Sequence, residues 1–187
     1  MALTHNTQGS VIFENGKGGT AVAALRADGT EGLAATGYAT TISQTPAITA
    51  GAYSALDAVG GLLTFANAAR ISGGTIMVHS VTINDLTTQR ASLVLVLFDR
   101  SFTATTDNAA FDPSDADLVN CVGIIPITAG DYQAFNDNAV ACVRGLGLIA
   151  KLNGTDLFGQ LFLPTGSAPT YASTSDLEVV VGVVQLT

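Results

Sequence analysis

The residues best suited to chemistry are carboxylates crowded into one stretch, FDRSFTATTDNAAFDPSDADLVN, residues 98–120. Asp99, Asp107, Asp112, Asp115 and Asp117 lie within it, three of them inside DPSDAD. Carboxylates at this density suit a hard cation such as calcium, which is bound by several oxygens. A calcium loop of the EF-hand type needs ligands at alternate positions and a glycine at its sharp turn. Asp115 and Asp117 alternate, but Leu118 and Val119 follow and no glycine comes. A calcium site on Asp112, Asp115 and Asp117 with a carbonyl is therefore kept only as the alternative, and the preferred reading has no metal. In that reading Asp112 caps a single helical turn and Pro113 is its first residue. Asp115 and Asp117 then fall in the first turn, where the helix dipole favours carboxylates. Leu118 and Val119 are expected to pin the turn to the core.

Nucleophilic and cofactor chemistry find no constellation. The histidines are His5 and His79, and there is no G-x-S-x-G elbow. His79 and Ser80 are neighbours on an expected strand and so point to opposite faces, which is not a triad geometry. His79 reads as a partly buried or interface residue. GKGG lacks the full phosphate-loop pattern and GLG lacks a strand-then-helix context, so both read as turns. Cys121 and Cys142 match no zinc spacing and read as two buried thiols rather than a disulfide. Paired carboxylates for glycoside cleavage are set by the fold and cannot be located in a sequence. The absence of Trp argues against a sugar cleft. No catalytic residue, cofactor-binding residue or cofactor is expected, and the chain reads as a non-enzyme.

The elements that would carry these residues are strands. TIMVHSVTIND (75–85) alternates, with Ile76, Val78, Ser80 and Thr82 expected on one face and Met77, His79, Val81 and Ile83 on the other. ASLVLVLFD (91–99) is nearly continuous in apolar residues and reads as a central strand. NCVGIIPIT (120–128) reads as a strand whose Pro126 marks an edge or a bulge. AVACVRGLGLIAKL (139–152) holds one or two strands around Gly145 and Gly147. DLFGQLFLP (156–164) and DLEVVVGVVQL (176–186) complete the set. AGAYSALDAVGGLLTF (50–65) reads as strand, loop, strand, with a break at Gly60-Gly61. Seven to nine short strands, with no long amphipathic helix and at most one or two short helical turns, predict an all-β antiparallel sandwich, jelly-roll-like, over 49–187. Residues 1–48 are rich in Gly, Thr and Ala and predict an extended N-terminal arm. Within it, Asn15-Gly16 would join SVIF to AVAAL as a hairpin, and Asp28-Gly29 marks a further turn.

Composition narrows the partners. The 187 residues are 48% hydrophobic and only 12% charged, against about 25% charged in a typical soluble domain. So little charge suits a surface that meets other protein. Net charge is −8, and the seven Lys and Arg residues are scattered. Without a basic patch, nucleic acid and acidic membrane surfaces are not expected partners. The polar N-terminus lacks a signal-peptide pattern, and no apolar run approaches the about 20 residues needed to span a bilayer. Synthesis in a cytoplasm as a soluble protein is expected.

YSALDAVGGLLTFANAARISGGT, LVLVLFDRSFTATTDNAAFDPSDADLVNCVGIIPI and the closing YASTSDLEVVVGVVQL together resemble small virion structural proteins of tailed bacteriophages. The resemblance covers residues 50–187 and leaves out the arm. It implies a head decoration, or cement, protein on the capsid exterior. Such a protein is a β-sandwich or jelly-roll, a trimer or dimer, that binds the major capsid protein and holds the shell against internal pressure. The alternative is a head-fibre base, a tail component or a receptor- or glycan-binding module, with loops 100–118 and 164–175 as its binding face.

Overall fold

The computed structural model describes residues 38–186 and, before them, the backbone of four strands. These are β1 (Thr4–His5), β2 (Val11–Glu14), β3 (Thr20–Leu25) and β4 (Glu31–Leu33), paired antiparallel in that order. The hairpin expected between SVIF and AVAAL is present, with Glu14 opposite Thr20. Its Asn15-Gly16 turn and the Asp28-Gly29 turn lie outside the described residues. The chain divides into two compact units, Met1–Thr36 and Gly37–Thr187.

The second unit is all-β. It contains β5 (Tyr38–Gln44), β6 (Gly51–Ala52), β7 (Ala58–Phe65), β8 (Thr75–Asp85) and β9 (Leu93–Phe98). A helical turn α1 (Asp115–Leu118), β10 (Cys121–Ile127), a 3-10 turn (Ala129–Asp131) and β11 (Tyr132–Ala134) follow. β12 (Ala139–Lys151), β13 (Leu157–Phe162), β14 (Thr170–Tyr171) and β15 (Leu177–Gln185) end the chain. One sheet has the order β10-β9-β13-β7, the other β11-β12-β8-β15-β5, and β14 pairs with β6. Omitting the short β6, β11 and β14, the remaining strands in chain order fall first-eighth-third-sixth in one sheet and second-seventh-fourth-fifth in the other. That interleaving is the jelly roll. Tyr38–Gln44, within the stretch assigned to the arm, is an edge strand of the five-stranded sheet along β15. Its alternating Thr40, Ile42 and Gln44 turn toward the sandwich interior, and Ile42 packs on the core.

The core lies between the sheets. Leu93, Leu95, Leu97, Leu157 and Leu161 on one side meet Ile76, Val78, Val81, Ile83 and Val181 on the other. β9 is buried at all six positions because it is flanked by β10 and β13 and covered on both faces. β10 is an edge strand, which accommodates Pro126 as expected; its register shift, between Cys121 and Gly123, lies away from the proline.

Two strand readings are corrected. In β8 the alternation does not run through. Ile76 and Val78, then Val81 and Ile83, all face the core, because the register against β15 and β12 shifts around His79. A bulge adds one residue and flips the side-chain phase. Gly60 and Gly61 do not break a strand either, but lie inside β7, and the loop falls at Ser54–Asp57, before it. Gly60 takes a φ of +73°, which any other residue adopts only at a cost.

Candidate functional site

The acidic stretch is a long connection that leaves and returns at one end of the sandwich. Asp99 N–H donates to the Asn120 carbonyl at 3.1 Å, and Asn153 N–H to the Asp99 carbonyl at 3.0 Å. Between these points it crosses the outer face of the four-stranded sheet. At the far side Asn108 N–H donates to the Ala58 carbonyl and Ala58 N–H to the Ala109 carbonyl. Under the crossing lies a second apolar cluster: Val94, Val96, Phe98 and Phe102, with Phe111, Phe158 and Phe162 against it. Phe98 stacks on Phe102 at 3.9 Å, and Phe111 on Phe162 at 4.7 Å, between ring centroids.

Asp107 fastens this crossing. Its carboxylate accepts from Thr49 N–H (2.7 Å), Thr49 Oγ1 (2.6 Å), Tyr53 Oη (2.7 Å) and Gly60 N–H (2.5 Å). Burial, and then the bond to Asp107, push the Tyr53 phenol well above its ordinary range. Gln160, fully buried on β13, completes the latch: its Oε1 accepts from Thr105 N–H at 3.0 Å. Its Nε2 donates to the carbonyls of Thr105 (2.6 Å) and Gly60 (2.9 Å). The left-handed Gly60 is thus held through both its N–H and its carbonyl.

The remaining carboxylates of the stretch do not converge. Asp99 pairs with its neighbour Arg100 at 2.9 Å on an exposed edge. The cap of α1 is Ser114, not Asp112: its Oγ accepts from Asp117 N–H at 3.2 Å and donates to Asp117 Oδ2 at 2.8 Å. The helical turn starts two residues later than expected because this reciprocal Ser114–Asp117 pair defines it. Leu118 and Val119 do not pin it to the core; they are 46% and 80% exposed. Asp115 and Asp117 occupy the first turn as expected. Among the described residues no three His, Cys, Asp or Glu side chains form a metal-binding group, and Asp112, Asp115 and Asp117 are not one.

Elsewhere, too, carboxylates fold loops. Asp176 accepts from Ala172 and Ser173 N–H, Asp156 from Asn67 N–H, and Asp57 from Ser54 N–H. Asp131 takes both the N–H and the hydroxyl of Thr128, and these bonds hold its carboxyl below the ordinary range.

His79 lies at the β8 bulge, half-buried. A Cβ on Gly182 would come within 2.8 Å of its ring, so the bare glycine of β15 makes room for the imidazole. The cysteines are free and half-buried rather than buried, and they lie on different sheets. Cys121 joins the outer apolar cluster. Cys142 Sγ accepts from Arg144 Nε at 3.1 Å and Thr82 Oγ1 at 3.3 Å. Burial pushes this thiol up, but the bonds from Arg144 and Thr82 outweigh burial and the net shift is downward. A lowered thiol pKa means more thiolate at a given pH. Alkylation of Cys142 by iodoacetamide in a Cys121→Ser background should therefore reach its half-maximal rate at lower pH in the native than in the urea-unfolded chain. Arg144→Gln should move the native midpoint upward. Coincident native and unfolded profiles would remove the assignment.

The sequence reading missed a cleft at the loop end, of about 250 Å3. Gln89, Arg90, Ser92, Gly166, Ser167 and Pro169 line it, from the β8–β9 and β13–β14 connections. Asp85, 1% exposed, organises the first connection by accepting from Thr87 N–H, Thr87 Oγ1 and Arg90 N–H (2.6 Å). Thr88 and Arg90 are both left-handed, at φ 60° and 48°. Gln89 Oε1 accepts from Thr170 N–H at 3.1 Å and ties the two connections together. The one legible signal was an Asp placed at a strand end before a Thr-rich turn.

The charge of Asp85 also reaches two phenols, Tyr132 and Tyr171. Burial first, and then this and other nearby charges, push both above their ordinary range. Both hydroxyls are buried without a hydrogen-bond partner. An unpaired buried hydroxyl costs about 1–3 kcal/mol. Tyr171→Phe should therefore raise stability, by about 1 kcal/mol, in urea denaturation. Tyr53→Phe, which strips a bond from Asp107, should lower it by about 1–2 kcal/mol. Equal losses in the two variants would show that the Tyr171 hydroxyl is satisfied.

No family model matches the chain, and no curated protein matches it at a significant level.

Proposed function

We propose that this is a structural virion protein, a head decoration protein that binds the major capsid protein on the capsid exterior as a homo-oligomer. The observation that carries the reading is the outer face of the five-stranded sheet. The outer face of the other sheet is roofed by the chain's own 99–114 crossing. The five-stranded sheet instead presents half-buried Met77, Thr82, Cys142, Val180 and Val184, with Ile149 64% exposed. Such a broad, weakly charged β surface suits burial against other protein. The jelly roll also serves capsid and lectin domains, a support at the level of fold alone. The test adds purified protein to heads that lack it. Stoichiometric binding, a rise in the temperature of shell rupture, and loss of both with Val180→Asp are expected. Heads that bind only a few copies, or that bind the Val180→Asp protein equally, defeat the reading.

A second reading, a receptor- or glycan-binding virion module, is favoured by the cleft at residues 166–169, which falls within the 164–175 loop. Binding of purified protein to host cells, lost on substitution in the cleft and kept on Val180→Asp, would select it over the first.

A further inference from the structure

We propose that the cleft between residues 86–92 and 163–169 binds the carboxylate of an acidic sugar, with Arg90 selecting the charge. The proposal rests on the second reading of function and supplies its ligand class. Among the described residues, Arg90 is the only charged one lining the cleft. Among the described residues the single ion pair is Asp99–Arg100, so the Arg90 guanidinium meets no carboxylate. Asp85 is engaged by Thr87 and the Arg90 N–H, and Asp131 by Thr128 through its Oδ2.

The neutral groups beside Arg90 have the matching polarity. Gln89 Oε1 accepts from Thr170 N–H and Ser92 Oγ from Ala129 N–H, which occupies acceptors and leaves the amide N–H and the hydroxyl O–H as donors. Ser167 adds a further hydroxyl. A carboxylate only accepts, so a donor-rich wall with one guanidinium complements it. Ala91, Ala129, Ala168 and Pro169 also line the cleft, whose surface is mainly polar, as a hydroxyl-rich ligand requires. The volume, about 250 Å3, has room for one such ring. A net charge of −8 opposes polyanions, which leaves a singly charged group as the fitting ligand.

The loop is built to hold this arrangement before a ligand arrives. Left-handed Thr88 and Arg90 are costly conformations, and a β-branched residue at positive φ is a true outlier. Such strain persists where the surroundings over-determine it, and it gathers at binding sites. Here buried Asp85 clamps both sides of the outliers, and Gln89 fixes the tip to the opposite connection. Fixing donors in advance lowers the cost of ordering on binding.

The test is an NMR titration of the full chain with methyl glucuronide, methyl glucoside and inorganic phosphate. The glucuronide should give saturable shifts at Gln89, Arg90 and Ser167, and the glucoside should bind about tenfold more weakly. Arg90→Asn keeps a residue that tolerates positive φ and should erase the preference for the acid. Arg90→Lys should retain most of it. No saturable shift with glucuronide up to about 50 mM, or equal binding of the glucoside, overturns the proposal. Phosphate binding as tightly as glucuronide, with the same Arg90 dependence, reduces the cleft to a simple anion site and also overturns it. Cell binding that survives Arg90→Asn leaves the receptor reading standing and removes this ligand.

Discussion

Asp107→Ala should lower the free energy of unfolding by about 3 kcal/mol and release the 99–114 crossing from the sheet beneath it. One carboxylate serves four donors from two distant segments, Thr49–Tyr53 and Gly60. Alanine leaves the buried Gly60 N–H and the Tyr53 hydroxyl without their acceptor, while the exposed Thr49 N–H keeps the Tyr53 oxygen as a partner at 2.7 Å. Bonds to a charged acceptor are worth more than neutral ones, and stranded buried donors add their desolvation cost. Urea denaturation measures the loss, and amide exchange at Gly60, Phe102 and Thr105 reports where the chain opens. Gln160→Ala should open the same amides, because Gln160 holds the carbonyl of the same Gly60. The two effects should be less than additive in the double variant, since each releases what the other holds. A loss below about 1 kcal/mol with unchanged exchange would mean that the aromatic stacks alone keep the crossing in place.

Asp85→Ala should cost a similar amount, about 3 kcal/mol, with the opening at the cleft instead. Asp85 is almost wholly buried and among the described residues pairs with no cation; its partners are two backbone N–H groups and one hydroxyl. Removing it strands all three and frees Thr88 and Arg90 to leave the left-handed region. The Thr170 amide, bonded to Gln89, should then exchange faster. Burial first, and then nearby charges that include Asp85, raise the phenols of Tyr132 and Tyr171, so removing Asp85 should move their alkaline titration downward. Unchanged Thr170 exchange and an unmoved phenol titration would place the Asp85 charge outside this network.

Legibility in the sequence followed the range of the interactions. β9 could be read because LVLVLF admits no exposed face, and β10 because a proline cannot sit in a central strand. The hairpin of β2 and β3 could be read because its turn chemistry is local. The phase of β8 could not, since the shift at His79 depends on how β12 and β15 pair with it. The exposure of Leu118 and Val119 could not either, because an apolar pair after a helical turn looks the same whether or not the turn docks. The cleft was hidden for a related reason: its walls are 74 and more residues apart in the chain, from Ser92 to Gly166.

The aspartates show the division most plainly. By itself the sequence determined an all-β chain, short of charge and net acidic, with a carboxylate-rich connection after a central strand. Those follow from composition and side-chain period, which act residue by residue. Only the tertiary structure decided what the carboxylates do. Asp107 lies 58 residues from Thr49 and 47 from Gly60, and a bond between them exists only once the jelly roll has brought both to one end of the sandwich. A carboxylate is acceptor-only, and unpaired N–H groups at loops and bulges are donors. The fold therefore spends its acid on tying its own connections, and the stretch that looked like a metal site is the roof of a sheet.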